Sequence, residues 1–389
     1  MIILFWVSLF LICYTFLGYG IILFLMVISK RIWKGRKAIN YDTSQLPSCT
    51  LIVAAYNEES YIEEKIKNSL ALNYPPNLLK FIFVTDGSTD QTPQIVSNYP
   101  QINLLHHPER KGKVVAVHRA IKQVDTDVIV FTDANTFLNS DALTKICRHY
   151  AHKTTGAVAG EKRVNIKGAS DATAGEGIYW KYESKLKTWD SELNSVVGAA
   201  GELFSIRTSL YQPIPKNSIL DDFMISMRIA EKGYKIIYEP EAFATENSSE
   251  NITEELKRKV RIAAGGIQSV VWLKELLNPF KLPLLTFQYI SHRVLRWTIT
   301  PFLMILVFIL NIFLVVDTDG LAYKVLLICQ LTFYVLSLLG LILESKKIRI
   351  KILFIPYYFC MMNYAVVAGI IRYFKGSQTI LWEKAKRAS

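Results

Sequence analysis

The chain has 389 residues, of which 51% are hydrophobic, a mean hydropathy of +0.23 and a net charge of +12. That suffices for one sizeable soluble domain plus several membrane spans. Much of the positive excess flanks apolar runs, so attraction to a membrane surface accounts for it, and no nucleic acid is expected as a partner.

Residues 2–29 hold no Asp, Glu, Lys or Arg, and neither do 298–316, 325–343 or 352–371. Each run is close to the ~20 apolar residues that cross a bilayer. The first lacks a basic leading segment and a small-x-small cleavage pattern, so residues 1–30 read as an uncleaved anchor. Lys30, Arg31, Lys34, Arg36 and Lys37 follow the uncharged run at once, all but Lys30 within a basic linker over 31–47. Positive charge stays on the cytoplasmic side, which places the soluble domain, residues 48–265, in the cytoplasm. The glycosylation patterns at Asn247 and Asn251 are then irrelevant. Cys13, Cys49, Cys147, Cys329 and Cys360 show no metal-ligand spacing and read as a reduced, non-catalytic set.

Within the domain, Thr50 to Ala55 is an apolar strand ending at Tyr56-Asn57-Glu58-Glu59. Ile62, Ile66, Ser69 and Leu70 then recur at helical spacing, up to Tyr74-Pro75-Pro76. Leu79 to Thr85 is the next strand and closes on Asp86-Gly87-Ser88-Thr89-Asp90; a helix and a short strand at Leu104-Leu105 follow. Lys113 leads a helix with Val117, Ala120, Ile121 and Val124 on one face. Val128 to Thr132 is a buried strand stopping at Asp133, with Asn135 two residues on. The alternation predicts an α/β domain with parallel strands, whose polar ends meet on one sheet edge.

Each polar cluster has a plain and a chemical reading. Asp133 and Asn135 make either an ordinary turn or hard oxygen ligands for a divalent cation, Mg²⁺ or Mn²⁺, bound with a diphosphate. The run Gly198-Ala199-Ala200-Gly201-Glu202, entering a strand at Phe204, is either a tight turn or a place where a ligand comes close. Asp221 and Asp222, heading a helix with Phe223, Met227 and Ala230 on one face, are either caps or the source of a general base. The helix from Thr253 carries Lys257, Arg258, Lys259 and Arg261, for a lipid-facing surface or for gripping a diphosphate. No Gly-x-Gly-x-x-Gly follows the first strand, and no Gly-x-x-x-x-Gly-Lys-Ser/Thr occurs, which argues against dinucleotide and P-loop sites.

Taken in order, residues 48–300 and the membrane layout resemble the family 2 glycosyltransferases, in particular the membrane-bound group of hyaluronan, cellulose and poly-N-acetylglucosamine synthases. The segment Ala55-Tyr56-Asn57-Glu58 is similar to the family's first-strand motif, and Asp86-Gly87-Ser88-Thr89-Asp90 to its Asp-Gly-Ser-x-Asp motif. Asp133-Ala134-Asn135 falls on its Asp-x-Asp metal motif, and Asp221-Asp222 on its Glu-Asp pair. The resemblance implies a GT-A fold and inverting transfer from a nucleoside-diphosphate sugar, a UDP-sugar, to a growing cell-surface or extracellular glycan. It further implies Asp222 as catalytic base and Asp133 and Asn135 as metal ligands. Tyr56, Glu58, Asp86, Lys113, Gly201, Glu202, Arg258 and Arg261 would bind substrate. Two places depart from the pattern. Asn135 is neutral where the motif has an acid. The Gln-x-x-Arg-Trp motif of processive members is met only by Arg261, within Arg258-Lys259-Val260-Arg261-Ile262. That keeps open single-sugar transfer to a polyprenyl-phosphate acceptor and, further off, an inactive nucleotide-sugar-binding partner of a synthase.

Residues 266–297 mix apolar residues with Lys274, Glu275, Lys281, Arg293, Arg296, Trp272 and Trp297, the character of an interfacial segment touching membrane lipids. Spans are expected at about 298–316, 321–343 and 352–371, with Lys346, Lys347, Arg349 and Lys351 cytoplasmic. A final crossing would put the basic tail, 372–389, outside, against the charge rule. Either 352–371 is re-entrant or the tail breaks the rule. The expected setting is a bacterial inner membrane, multi-pass.

Overall fold

The computed structural model describes residues 1–35, 46–165, 173–247, 252–346 and 350–376. Arg36 and Lys37 of the linker, Asn251, Lys347, Arg349 and the tail beyond residue 376 lie outside the described residues.

One eight-stranded sheet organises the domain. Its strands are β1 (Cys49–Ala55), β2 (Leu79–Asp86), β3 (Asn103–His107), β4 (Val128–Asp133), β5 (Phe137–Leu138), β6 (Thr155–Asn165), β7 (Phe204–Arg207) and β8 (Lys235–Asn247). They run in the order β3-β2-β1-β4-β7-β6-β8-β5. β3, β2, β1 and β4 are parallel, and β7 joins β4 antiparallel, with Phe131 opposite Phe204. Strand order reverses between β1 and β4, and a sheet opens a crevice at the carboxyl ends of the strands beside such a reversal. Tyr56 to Glu58 leave β1 there, and Asp133 closes β4.

The alternation along these strands divides the core. Ile52, Ala54, Val84, Ile129 and Phe131 face helices Lys113–Ile121 and Asp221–Glu231, through Val117, Ala120, Phe223, Met227 and Ala230. Leu51, Val53, Phe83, Val128 and Val130 face helices Glu59–Leu70 and Ala142–Cys147, through Ile62, Ile66, Leu143 and Ile146. The central strands are covered on both sides, which is why they read as continuous apolar runs. Leu70, expected on the buried face, is 37% exposed at the last turn of its helix.

Four helices among the described residues are long and apolar enough to cross a membrane: Ile2–Lys34, Thr300–Thr318, Leu321–Glu344 and Ile352–Phe374. The first carries a π-helical turn at Tyr14–Gly18. Residues 351–374 form one helix through Pro356, without the break a re-entrant pair requires. The segment 266–297 is part core and part surface, with Phe280 94% exposed. Leu273, Leu276, Leu285 and Tyr289 belong to the core under the sheet, and helix Ile252–Trp272 runs unbroken across the expected 265/266 boundary. The small residues Ala263 to Gly266 let that helix come close to Ile219, Leu220 and Trp297.

Candidate active site

The first part of the site is the edge formed by the ends of β1 and β2. Asn57 adopts a left-handed conformation (φ 52°), and its side-chain oxygen accepts a hydrogen bond from Thr89 N at 2.8 Å. Asp90 accepts from Glu59 N at 3.1 Å and from Thr92 N at 3.0 Å, so one carboxylate caps two helix starts. Glu58 N donates to Thr92 Oγ1 at 2.9 Å, and the Glu58 side chain is buried. Arg110 lies over the Tyr56 ring, 3.7 Å from its centroid. Asp86, also buried, accepts from Lys111 N at 2.9 Å and Gly112 N at 2.6 Å through Oδ2. Its Oδ1 is buried with no hydrogen-bond partner among the described residues.

Gly112 leads directly into Lys113 and the second part, a cavity of about 350 Å³. Lys113, Asp133, Gly201, Glu202, Asp221, Asp222, Arg258 and Arg261 all line it, from five separate stretches of chain. Lys113 Nζ donates to Asp133 Oδ1 at 2.8 Å and lies 3.8 Å from Asp221 Oδ2. Asp222 Oδ1 accepts from Phe223 N at 2.8 Å. A Cβ on Gly201 would stand 3.3 Å from Asp222 Oδ2 and 3.6 Å from Lys113 Nζ, so the absence of a side chain there gives both groups their room. Arg258 holds Glu255 bidentately, at 3.0 and 2.9 Å. Lys162 pairs with both Glu202 and Glu246.

Burial and like charge set the protonation of these acids. Burial, then the neighbouring Asp221 carboxylate, push Asp222 up to about 7 against the pull of Lys113. Burial also raises Asp133; Lys113 opposes the shift and Glu202 adds to it. Burial alone would raise Glu202, but Lys162 and Arg258 outweigh it and hold the carboxyl well below its usual range. Burial likewise favours loss of the Lys113 proton, and Asp133 and Asp221 override it and keep the ammonium charged. The result is one carboxyl, Asp222, raised to about 7 beside Glu202, which stays ionised, a division that suits general-base work.

Among the described residues no group of three or more His, Cys, Asp or Glu is arranged to cage a metal. The donors do fit a hard cation that takes its other ligands from a diphosphate and water: Asp133 gives a carboxylate, Asn135 an amide oxygen, and a charged ammonium already sits on Asp133 Oδ1. Asn135 is half-buried in the turn after β4 and is not among the residues lining the cavity.

The structure therefore gathers Lys113, Asp133, Gly201, Glu202, Asp222, Arg258 and Arg261 in one cavity, and sets Tyr56, Glu58 and Asp86 on the adjoining edge. Sequence reasoning missed Lys65, Lys162, Glu183 and Lys187. Lys65 is fully buried, donates to Thr132 Oγ1 at 3.0 Å and Thr136 O at 2.7 Å, and braces the turn that carries Asp133. Burial pushes its ammonium down to about 7. The signal was a lysine one residue before Ile66, on the apolar face of its helix. Lys162, Glu183, Lys187, Arg293 and Trp297 line the cavity too, from elements whose roles only the fold reveals.

Residues 50–214 match the sequence model of the family described as glycosyl transferase family 2. Poly-beta-1,6-N-acetyl-D-glucosamine synthase of Staphylococcus aureus (strain COL) is 27% identical over 250 residues, 62% of this chain and 59% of that protein. The chain thus spans less than two thirds of that relative's length. The synthase of the same name from Staphylococcus epidermidis is 23% identical over 284 residues, 70% of this chain and 68% of the relative. Among solved structures, the mannosyltransferase PcManGT from Pyrobaculum calidifontis, in complex with GDP-Man and Mn²⁺, superposes with a TM-score of 0.72 at 22% identity. It covers 96% of this chain and 100% of that one, which shows a shared fold. Over residues 50–214 the chain is thus similar to glycosyl transferase family 2, it resembles the staphylococcal synthases over a longer stretch, and it shares the GT-A fold of the archaeal mannosyltransferase.

Proposed function

We propose that the chain transfers a sugar from a nucleoside-diphosphate donor, a UDP-sugar, to a growing cell-surface or extracellular glycan, with inversion, at the cytoplasmic face of a bacterial inner membrane. The observation that carries this reading is Asp222: a carboxyl pushed up to about 7, in a cavity shared with Asp133, Lys113 and three arginines.

Tyr56, Glu58 and Asp86 receive the nucleoside, and the buried, unsatisfied Oδ1 of Asp86 accepts a hydrogen bond from its base. Lys113, Arg258 and Arg261 face the diphosphate, where fixed positive charge stabilises the leaving group as it departs. Asp222 takes the proton of the acceptor hydroxyl while that oxygen attacks the anomeric carbon and the bond to the diphosphate breaks. Glu202, locked by Lys162, stays ionised and fixes Gly201 beside the base. A divalent cation, Mg²⁺ or Mn²⁺, held by Asp133 and Asn135, adds Lewis-acid stabilisation of the leaving diphosphate when bound. The names of the staphylococcal relatives support a glycan acceptor, and the GDP-Man and Mn²⁺ of the archaeal enzyme support a metal-dependent sugar donor.

The test is incubation of membranes holding the full chain with a panel of labelled sugar nucleotides, with and without EDTA. The expected result is incorporation from one donor, lost with EDTA and in Asp133→Ala. No turnover of any donor would overturn the transferase reading; turnover indifferent to EDTA would overturn the metal.

A further inference from the structure

The apolar helix Ile352–Phe374 has the length of a span and packs at its start on the span Leu321–Glu344, where a Cβ on Gly340 would stand 2.5 Å from Leu353 O, yet the helix it follows from start to end is not one that can cross a bilayer. It lies side by side with helix Ile252–Trp272. Phe354, Tyr357, Tyr358 and Met361 pack on Ile252 and Leu256 near the start. Met362, Ala365 and Val366 line the active-site cavity with Arg258, Arg261 and Ala263. A Cβ on Gly369 would stand 2.6 Å from the Ala263 side chain and 2.8 Å from Ala264 N. From residue 354 to 369 the two helices keep company over about 22 Å, at 1.5 Å per residue. Helix Ile252–Trp272 carries Glu254, Glu255, Lys257, Arg258 and Lys259, which are costly in hydrocarbon. A crossing by the last helix would drag these charges and Asp222 into the bilayer.

Other contacts mark the depth at which this happens. The N-terminal helix meets the outer end of the bundle at Trp6, whose indole N–H donates to Tyr323 at 3.3 Å. It meets the start of helix Thr300–Thr318 at Thr15, 3.4 Å from Thr300. Phe359 packs on Phe16 beside that level, with ring centroids 4.7 Å apart, and reaches Phe333 of the span Leu321–Glu344 at 5.9 Å. Ile352, Ile355, Tyr364, Ile371 and Phe374 are 48–71% or, for Phe374, 77% exposed, so one side of the helix is apolar and unpartnered while the other is docked. Lys346 precedes it, and Arg372 and Lys375 end it.

We infer that helix Ile352–Phe374 lies in the plane of the inner leaflet, its exposed face in the acyl layer and its flanking cations at anionic headgroups. The membrane is then crossed by three helices, and the basic tail stays on the same side as the catalytic domain. The face is continuous with the first span at Phe16, which identifies the occupant as lipid. Calling that side cytoplasmic rests on the proposed orientation; the helix lying in plane does not.

The experiment uses the full chain with one epitope tag before Met1 and another after Ser389, in intact spheroplasts and in inverted vesicles treated with protease. An in-plane helix gives three crossings, so the tags are removed from opposite faces. Removal of both from the same face means four crossings and overturns the inference. The outcome does not depend on whether the chain transfers sugar, or on which face is cytoplasmic. In phosphatidylglycerol–phosphatidylethanolamine vesicles, a photoreactive acyl chain is expected to label Tyr364 and Ile371. Crosslinking of those positions to a second copy instead would overturn lipid as the occupant.

Discussion

The two halves of the site treat their carboxylates in opposite ways. On the edge made by β1 and β2, Asp86 and Asp90 are held by backbone amides: Lys111 and Gly112 on one, Glu59 and Thr92 on the other. In the cavity, Asp133, Glu202, Asp221 and Asp222 meet side-chain cations and one another. Backbone amides are fixed dipoles, so the edge is a rigid cradle whose shape is its contribution. Side-chain charges respond to whatever enters, so the cavity is where protonation can change during a reaction. One stretch of chain, Gly112-Lys113, joins the two: its first residue donates to Asp86 and its second to Asp133.

The largest test of this division is Asp222→Asn. It keeps the shape and removes the base, so transfer should fall by roughly 10²–10⁴-fold, the usual contribution of a positioned base. Donor binding, read by calorimetry on the purified full chain, should persist because the cradle is untouched. Near-normal turnover would remove Asp222 from the mechanism. A smaller effect is expected from Asp221→Asn. The base acts only when deprotonated, so activity should rise with pH through about 7, where burial and Asp221 set Asp222. Removing the Asp221 charge relieves the like-charge repulsion, lowers the Asp222 pKa and moves the acid limb of the pH–rate profile to lower pH. A limb that stays in place would show that burial alone sets it.

The same contrast explains what the sequence revealed. The strands, their order along the chain and the helix faces followed from runs such as Val128 to Thr132 and from the Ile62, Ile66 spacing, because local periodicity is written residue by residue. Asp133, Asp222 and Lys113 were legible because each stands at a strand end or a helix start, where a parallel sheet collects such groups. Lys65, Lys162 and Lys187 were not, because a buried lysine looks like any surface lysine until its partners from other elements are known. The four apolar helices of the membrane half were equally legible, but their packing was not. Composition reports that residues 266–297 and 352–371 are apolar enough for a membrane, and nothing in composition says that Leu273 and Tyr289 pack under the sheet instead.

The smallest expected effect lies on the edge. Asp90 matches a motif acid, yet its two oxygens are spent on the amides of Glu59 and Thr92, at the starts of helices Glu59–Leu70 and Thr92–Ser97. Those helices have no side-chain cap from their own first residues, so Asp90 serves both in their place. Asp90→Ala should therefore cost about 1–2 kcal/mol, the loss of a helix cap, seen as a lower thermal midpoint of the detergent-solubilised chain. Asp90→Asn retains one acceptor oxygen and should recover part of that loss. Turnover at low temperature should stay within a few-fold of the parent, since neither oxygen faces the cavity. A loss as deep as that of Asp222→Asn, with an unchanged midpoint, would mean that the edge takes part in chemistry and that the two halves are not divided as drawn.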